Sequence, residues 1–195
     1  GSRSGRSVSG AGDVNRDGFG DIIIGADMGS QAYVVFGTSS ALTASVELSS
    51  LDGTSGFILD GVDGYRTGIS VSSAGDVNDD GYDDVVVGAP AASSNGSLSG
   101  KAYVIFGRSA FTTGLELSAL DGTDGFVVNG EGASFYTGRS VSGGADMNGD
   151  LIADVVIGAP QPISADSGKA YVIFGSSDSF PASGVIELST LDSTM

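Results

Sequence analysis

The apolar residues of this chain fall into short runs that recur in the same order three times. Each cycle begins with small polar and apolar residues in alternation, as in Ser7-Val8-Ser9, and continues with an apolar run such as Val85-Val86-Val87. Alternation is typical of a strand with one buried face, whereas a continuous β-branched run indicates a strand that is buried on both faces. No helical apolar period runs through the sequence, so the pattern predicts an all-β chain.

Two further strands complete the predicted cycle. An Ala-Tyr-Val-(Val/Ile)-Phe-Gly strand occurs three times, and an outer strand occurs only twice, at Gly56–Gly61 and Gly125–Gly130. Four antiparallel strands per unit are the pattern of a β-propeller blade, and propellers close with about 4–8 blades. We therefore predict three blades at residues 1–63, 64–133 and 134–195 of a partial β-propeller, the third without its outer strand. Further blades, or another copy of the chain, would have to complete the ring.

An acidic loop of nine residues separates the first and second strands of each unit. In the second unit, Asp76, Asn78, Asp80 and Asp84 stand at loop positions 1, 3, 5 and 9, and Gly81 occupies position 6. Hard cations take oxygen ligands, and a short loop can add a backbone carbonyl, here from Tyr82. An EF-hand would carry Glu at position 12 followed by a helix, but an apolar strand continues there instead. We therefore expect a calcium loop that closes on its ninth residue.

Composition narrows the function classes. The chain has 195 residues, a net charge of −16, 33 Gly and neither Cys nor His. It can form no disulfide or thiolate metal site, and it lacks the commonest general base. The negative charge would repel nucleic acid and anionic membranes, although three calcium ions would reduce it to −10 (−16 + 6). No run approaches the roughly 20 apolar residues of a membrane span. The opening Gly1-Ser2-Arg3 has neither an initiating Met nor a signal peptide, so we expect a piece of a longer chain.

The order of these motifs resembles a known family. Gly-x-Ser-Val-Ser, the acidic loop, an apolar triplet, Gly-Ala-Pro and Ala-Tyr-Val-Ile-Phe-Gly together resemble the FG-GAP repeat of the seven-bladed propeller in integrin α-subunits, over essentially the whole chain. The resemblance implies two to three structural calcium ions in the hairpin loops, and ligands or partner subunits at the opposite face. The implied metal ligands are Asp13, Asn15, Asp17 and Asp21; Asp76, Asn78, Asp80 and Asp84; and Asp146, Asn148, Asp150 and Asp154, with carbonyls from Phe19, Tyr82 and Ile152.

Three positions depart from the family pattern. Asp27 replaces the Pro of Gly-Ala-Pro in the first unit, and Ser or Thr replaces the Phe of the Phe-Gly pair, as in Thr67-Gly68. Leu151 replaces the position-6 Gly of the third loop, where a left-handed conformation would cost a residue with a β-carbon roughly 1 kcal/mol. We therefore expect the third calcium site to be the weakest.

The function implied by the resemblance is a non-catalytic recognition or cell-adhesion module at the cell surface. It would bind a protein or glycan ligand on a propeller face, and the variable connections at residues 90–101 and 160–169 mark one such face. Alternatives are a propeller accessory to a secreted hydrolase or lyase, and a structural spacer in a large surface protein. The Glu and Asp pairs Glu47/Asp52, Glu116/Asp121 and Glu187/Asp192 recur in every unit, which favours a structural role over a catalytic one.

Overall fold

The computed structural model describes residues 3–40, 45–161, 168–178 and 180–191. Its helices are 3-10 turns of three residues each, and none is long or apolar enough to cross a membrane. The strands are β1 (Ser7–Gly12), β2 (Asp21–Ala26), β3 (Gln31–Val35), β4 (Gly56–Asp60), β5 (Ser70–Gly75), β6 (Asp84–Ala89), β7 (Lys101–Ile105), β8 (Gly114–Glu116), β9 (Gly125–Asn129), β10 (Ser140–Ala145), β11 (Asp154–Ala159), β12 (Lys169–Ile173) and β13 (Val185–Glu187).

The first three strands of every unit form an antiparallel meander, as the sequence predicts. These meanders are β1-β2-β3, β5-β6-β7 and β10-β11-β12, and β4 and β9 add to the outer edges of the first two. A bulge interrupts the pairing of each inner strand just before the acidic loop, for example between Ser73 and Gly75. Bulges bend a strand and end its pairing locally, which lets the chain leave the sheet for the loop.

A fifth strand completes each of the first two sheets, and the sequence analysis did not anticipate it. β8 pairs in parallel with β4, and β13 pairs in parallel with β9, so each sheet receives its last strand from the following unit. The expectation of four antiparallel strands per sheet was therefore incomplete. A three-residue strand is too short to show an alternating pattern. In the described residues, the third sheet contains only β10, β11 and β12.

The three sheets stack face to face, with β1 against β5 and β5 against β10. Alternate residues of β6 point to opposite neighbours, because successive side chains of a strand face opposite sides of the sheet. Val85 and Val87 join an apolar core with Ile23 and Phe57 of the first sheet. Val86 instead joins a core with Ile157 of the third sheet. The continuous apolar run therefore forms a strand that is buried on both faces, as predicted.

Aromatic side chains repeat across both interfaces between sheets. Phe57 of β4 stacks on Phe111 of the second unit, with ring centroids 4.0 Å apart. Phe126 of β9 stacks in the same way on Phe180 of the third unit, at 4.4 Å. Aromatic pairs contribute about 0.5–1.5 kcal/mol beyond their buried area. Each pair therefore joins one unit to the next.

Glycines bring the backbones of neighbouring sheets together at the end opposite the acidic loops. A β-carbon on Gly88 would lie 1.9 Å from the carbonyl oxygen of Gly138 in the next unit, and one on Gly25 would lie 2.0 Å from the carbonyl oxygen of Gly68. The Ser70 hydroxyl also donates a hydrogen bond to the Gly138 carbonyl at 2.9 Å. The glycine at the end of the second strand, Gly25 or Gly88, therefore contacts the glycine that precedes the first strand of the next unit, Gly68 or Gly138.

Candidate metal-binding loops

The three acidic loops occupy equivalent places in the fold. Each connects the first and second strands of a unit, β1 to β2, β5 to β6 and β10 to β11, and all three lie at the same end of the stacked sheets. Asp, Asn and Gly favour tight turns because their side chains can bond nearby backbone groups and because they tolerate left-handed backbone. The same residues supply the oxygen atoms that a hard cation requires.

Side-chain oxygens of the first loop bind backbone N–H groups of the same loop. The two carboxylate oxygens of Asp13 accept from the N–H groups of Asp17 and Gly18, both at 2.9 Å. Asn15 Oδ1 also accepts from Asp17 N–H at 3.1 Å, and Asp17 Oδ1 accepts from Phe19 N–H at 2.9 Å. The side chains at positions 1, 3 and 5 are thus held on the inner side of one tight turn.

The same hydrogen bonds recur in the other two loops. The position-1 carboxylate of Asp76 accepts from Asp80 and Gly81 N–H at 3.0 and 2.8 Å. Asp146 accepts from Asp150 and Leu151 N–H at 3.2 and 2.9 Å. The N–H groups of the position-7 residues Tyr82 and Ile152 donate to the position-5 aspartates, as that of Phe19 does. The third loop therefore keeps the shape of the first two despite its Leu.

The position-9 aspartates differ from the others because they are buried. Asp21, Asp84 and Asp154 are 3%, 0% and 1% exposed. In the second unit, the Asp84 carboxylate accepts from Val77 N–H within the loop and from Gly107 N–H after β7, both at 2.8 Å. The first and third units repeat both bonds. Each of these aspartates therefore ties its loop to the end of the third strand of the unit, a role that the sequence did not reveal.

Negative charge accumulates around these buried carboxylates. Burial raises the pKa of Asp84 to about 8, and the Asp80 and Asp76 carboxylates act in the same direction, although two backbone hydrogen bonds oppose them. Burial likewise raises the pKa of Asp21, with the Asp17 and Asp13 carboxylates adding to the effect. A nearby cation would offset this repulsion and favour the ionised form. The electrostatics of the first two loops thus suit a bound cation.

Left-handed backbone occurs at two positions of each loop. Position 4 has φ of 57° at Arg16 and 58° at Asp79, and position 6 is Gly in both loops. The third loop reverses this arrangement, with Gly149 at position 4 and Leu151, at φ 74°, at position 6. The Leu151 side chain meets little steric resistance because the residue is 92% exposed. Each loop therefore holds one residue with a β-carbon in left-handed backbone, and the third is no exception.

Neighbouring loops contact one another through position 8. The Asp83 carboxylate of the second loop accepts from Asp13 N–H of the first loop at 2.7 Å. In the third loop, Ala153 N–H donates to the Asp76 carbonyl of the second loop at 3.2 Å. The Arg16 guanidinium also lies over the Tyr82 ring, 5.7 Å from its centroid. Asp83 is therefore a functional candidate that the loop motif did not single out, since position 8 is not acidic in the other two loops.

The chemistry of the loop oxygens fits a hard cation. Each carboxylate oxygen carries two lone pairs, so an oxygen that accepts one N–H can still ligate an ion. Within the described residues, no three acidic side chains converge at metal-ligand spacing, because the loop carboxylates turn toward backbone N–H groups. The twelve side-chain ligands and three carbonyl ligands named from the sequence therefore stay a prediction.

Two of the recurrent acidic residues, Glu187 and Asp52, have structural partners. Glu187 accepts from the side-chain amides of Asn129 and Asn95 at 2.6 and 2.7 Å, which links β13 to β9 and to the connection before β7. Asp52 accepts from the N–H groups of Thr54 and Ser55, both at 3.0 Å, and so closes a turn. These contacts agree with the structural interpretation of the pairs. Asp192 lies outside the described residues.

Comparison with known proteins identifies the repeat. The FG-GAP repeat matches residues 4–42, 67–105 and 137–173. Integrin alpha pat-2 of Caenorhabditis elegans is 35% identical over 162 residues, which cover 75% of this chain and 12% of that protein. Integrin alpha-4 of Xenopus laevis is 33% identical over 157 residues, which cover 76% of this chain and 14% of that protein.

The chain thus spans about an eighth of the length of these relatives. A shorter match to integrin alpha-2 of Bos taurus is 34% identical over 100 residues and covers 51% of the chain. Three matched segments, each containing one acidic hairpin loop, cover the three-stranded meanders of the three stacked sheets. The chain therefore belongs to the FG-GAP repeat family, and its sheets are integrin alpha-like β-propeller blades.

Proposed function

We propose that this chain is a calcium-stabilised, non-catalytic recognition module of an adhesion propeller. One observation carries the proposal: three hairpin loops with the same acidic hydrogen-bonding pattern occur in three integrin alpha-like repeats. A bound ion would link the first and second strands of each blade. The absence of His and Cys from the whole sequence, and the structural partners of Glu187, support a role without chemistry.

The ions would bind the side chains at positions 1, 3, 5 and 9 and the carbonyl of position 7. Calcium suits these sites because it accepts six to eight oxygen ligands in flexible geometry. We propose an ion in all three loops, since the third loop repeats the hydrogen bonds of the first two. Affinities of extracellular calcium modules can be about 10⁻⁴–10⁻³ M, which suits structural ions at a cell surface.

We propose that the blades span residues 1–63, 64–133 and 134–195 and belong to a ring of the seven-bladed type. Apolar side chains remain exposed on the open faces of the two end sheets, including Val8 at 69%, Ile22 at 46% and Phe174 at 47%. Their counterparts in the middle sheet pack against a neighbour. Further blades, or a second copy, would cover these faces, and a protein or glycan ligand would bind the completed propeller.

A calcium titration of the chain tests the proposal. Calorimetry should give three ions per chain, and thermal unfolding should shift upward with calcium and return with chelator, because a ligand that binds only the folded state stabilises it. Asp80→Asn removes the charge of a predicted ligand at position 5 but keeps an oxygen there, whereas Asp79→Asn makes the same charge change at position 4, which is not a predicted ligand.

The calcium affinity of one site should fall in Asp80→Asn, because a neutral amide oxygen attracts the ion less than a carboxylate does, and the three affinities should stay nearly unchanged in Asp79→Asn. Asn tolerates left-handed backbone, so the control should keep the φ of 58° at this position. Absence of calcium binding at millimolar concentration would mean that the loops are turns held by their own hydrogen bonds. Equal losses of affinity in both variants would mean that loop charge, and not the predicted ligand position, controls binding.

A further inference from the structure

The two ends of the stacked sheets carry different charges. The acidic loops gather carboxylates at the end where β1, β5 and β10 finish. Basic residues concentrate at the other end, in the segments that precede these strands and at the starts of β7 and β12. Six of the eight basic residues of the chain lie there: Arg3, Arg6, Arg66, Lys101, Arg139 and Lys169. Six carboxylates lie at the same end, and three of them are Asp27, Asp60 and Glu131. Arg3, Arg66 and Lys169 form ion pairs with Asp27 or Glu131, so an anion would bind there only where a basic side chain is unpaired.

A cleft opens at this basic end between the second and third sheets. It has a volume of about 320 Å³, and its walls include Arg66, Arg139, Tyr136, Leu98, Pro90 and Pro160. Two guanidinium groups and a phenol therefore share a small space with apolar walls. This volume lies at the lower end of the range of small-ligand pockets, about 300–1,000 Å³, and is large enough for one amino-acid side chain.

The two arginines of the cleft are not equivalent. Arg66 Nη2 lies 2.5 Å from Asp27 Oδ2, and Asp27 is 1% exposed, so this guanidinium neutralises a buried carboxylate. The Arg139 side chain is exposed, and among the described residues no carboxylate lies within ion-pair distance of its guanidinium. Arg139 is therefore available to a ligand, whereas Arg66 is committed to the fold.

Strained backbone surrounds the same cleft. Arg66, Leu98 and Tyr136 have φ of 57°, 57° and 54°, in the left-handed region that residues with a β-carbon disfavour. The Tyr136 N–H donates to the Leu98 carbonyl at 3.0 Å, which holds two of these residues together. Arg3, the equivalent of Arg66 and Tyr136 in the first unit, has a φ of 54° as well, so this backbone is a feature of every repeat that fixes the shape of the cleft wall.

We propose that this cleft binds the carboxylate of an Asp or Glu side chain from a protein ligand, with Arg139 as its main partner. Guanidinium and carboxylate form paired, charge-assisted hydrogen bonds, and the Tyr136 hydroxyl adds a donor. The methylene stem of an acidic residue would pack against Leu98 and the prolines. This inference rests on the proposed recognition function and identifies the chemistry of the ligand.

An acidic sugar fits the cleft less well. Sugar hydroxyl groups need both donors and acceptors, but the charged side chains of the walls only donate. Proline has no backbone N–H, and Leu98 has no polar side-chain atom, so ring hydroxyls would face apolar surface at Pro90, Pro160 and Leu98. An acidic amino acid presents one carboxylate on an apolar stem, which matches this arrangement.

Peptide binding to the 195-residue chain tests the inference. The probe is acetyl-Gly-Glu-Gly-amide, and acetyl-Gly-Gln-Gly-amide is its uncharged match; NMR shifts of the Tyr136 amide and the Arg139 side chain report binding. We expect saturable shifts with the Glu peptide only. Arg139→Gln should weaken binding about tenfold or more, and Arg139→Lys should weaken it less, because Lys keeps the charge but not the paired geometry.

Arg16→Gln is the matched control, because it removes the same charge from an exposed site at the calcium end. It should leave peptide binding unchanged. Equal binding of the Gln peptide, or unchanged binding in Arg139→Gln, would overturn the inference, and tighter binding of glucuronate than of the Glu peptide would assign the cleft to acidic sugars instead. If calcium binds as proposed while the Glu peptide does not, only the cleft assignment fails.

Discussion

The middle and third sheets have nearly the same apolar sequence but different surroundings. β6 carries Val85-Val86-Val87 and is buried along its whole length, whereas in β11 the Val156 side chain is only partly buried. The difference is larger for the Phe that follows the third strand, which is 6% exposed at Phe106 and 47% exposed at Phe174. The burial of these side chains therefore depends on whether a neighbouring sheet covers them. One repeat cannot bury its own apolar residues without the next repeat.

The first sheet shows the same effect on the opposite face. Val8 is 69% exposed, but its equivalent in the middle sheet, Val71, is 8% exposed because β1 packs against β5. The middle sheet is covered on one face by the first sheet and on the other face by the third. The open face of the first sheet is equivalent to one of these covered faces, and the open face of the third sheet is equivalent to the other. Differences in stability between equivalent positions should measure how much each interface contributes.

The largest contrast is expected between Phe106→Ala and Phe174→Ala. Phe106 packs against Phe126 and Phe180, so its loss should reduce the free energy of unfolding by about 3–5 kcal/mol. Phe174 is half-exposed, and its replacement should cost about 1 kcal/mol or less. Urea unfolding followed by circular dichroism measures both values. Equal losses would show that the third sheet is covered in solution.

A smaller change in the free energy of unfolding is expected from the ionisation of Asp84, the buried carboxylate of the middle loop. Because burial raises the pKa of Asp84 from 3.8 to about 8, the folded protein binds a proton more tightly than the unfolded chain. In chelator, its contribution to stability should therefore be full below pH 4 and be lost as the pH rises toward 8. Thermal unfolding across this range measures the slope.

Asp84→Asn should flatten this pH dependence while lowering stability at every pH, since an amide cannot accept from both Val77 and Gly107. Calcium should also reverse the slope of the unchanged protein, because an ion favours the ionised carboxylate. An identical slope in Asp84→Asn would assign the pH dependence to other groups.

Gly88→Ala and Gly158→Ala compare two equivalent glycines. Gly88 lies against the backbone of the next unit, whereas the atoms nearest to Gly158 belong to its own unit. The added β-carbon on Gly88 would meet the Gly138 backbone, so two sheets would have to separate, at a cost of about 1–3 kcal/mol. The β-carbon on Gly158 would meet first the Ser140 hydroxyl oxygen, which can rotate away. Chemical denaturation should therefore show the smaller loss in Gly158→Ala, and the reverse order would contradict the assigned interface.

The smallest change is expected at Leu151. Leu151→Gly relieves left-handed backbone, but Gly gains entropy in the unfolded chain, so stability should rise by about 1 kcal/mol at most. Gly149→Ala, at φ 83° in the same loop, should lower stability by a similar amount. Thermal unfolding of the two variants should give shifts of opposite sign. A loss of stability in Leu151→Gly would show that its conformation is not strained.

Local patterns in the sequence were sufficient for the hairpins and the acidic loops. The apolar run of β6 and the turn residues around Gly81 each depend on neighbours along the chain, so periodicity and turn chemistry predicted them. The sequence also predicted a cost at Leu151, but it missed the compensating Gly149, because the left-handed conformation at position 4 is occupied by Arg16 and Asp79 in the other loops.

Contacts between units could not be predicted in this way. The strand β8 has three residues, and it forms only because β4 offers a free edge more than fifty residues earlier. The bond from Asp13 N–H to Asp83 likewise joins two loops that are 70 residues apart. The basic cleft needs Arg66 and Arg139 from different sheets. Such pairings depend on three-dimensional stacking, which a pattern within one repeat does not contain.

The parallel pairing of β8 with β4 also sets the order in which the chain can mature during synthesis. Asp60 ends β4 and Glu116 ends β8, 56 positions later, so the first sheet stays open at its edge until most of the second unit has left the ribosome. At about 5–20 residues per second, this interval lasts roughly 3–11 s. An exposed strand edge can pair with other chains during that time. Each newly made repeat therefore protects the one before it.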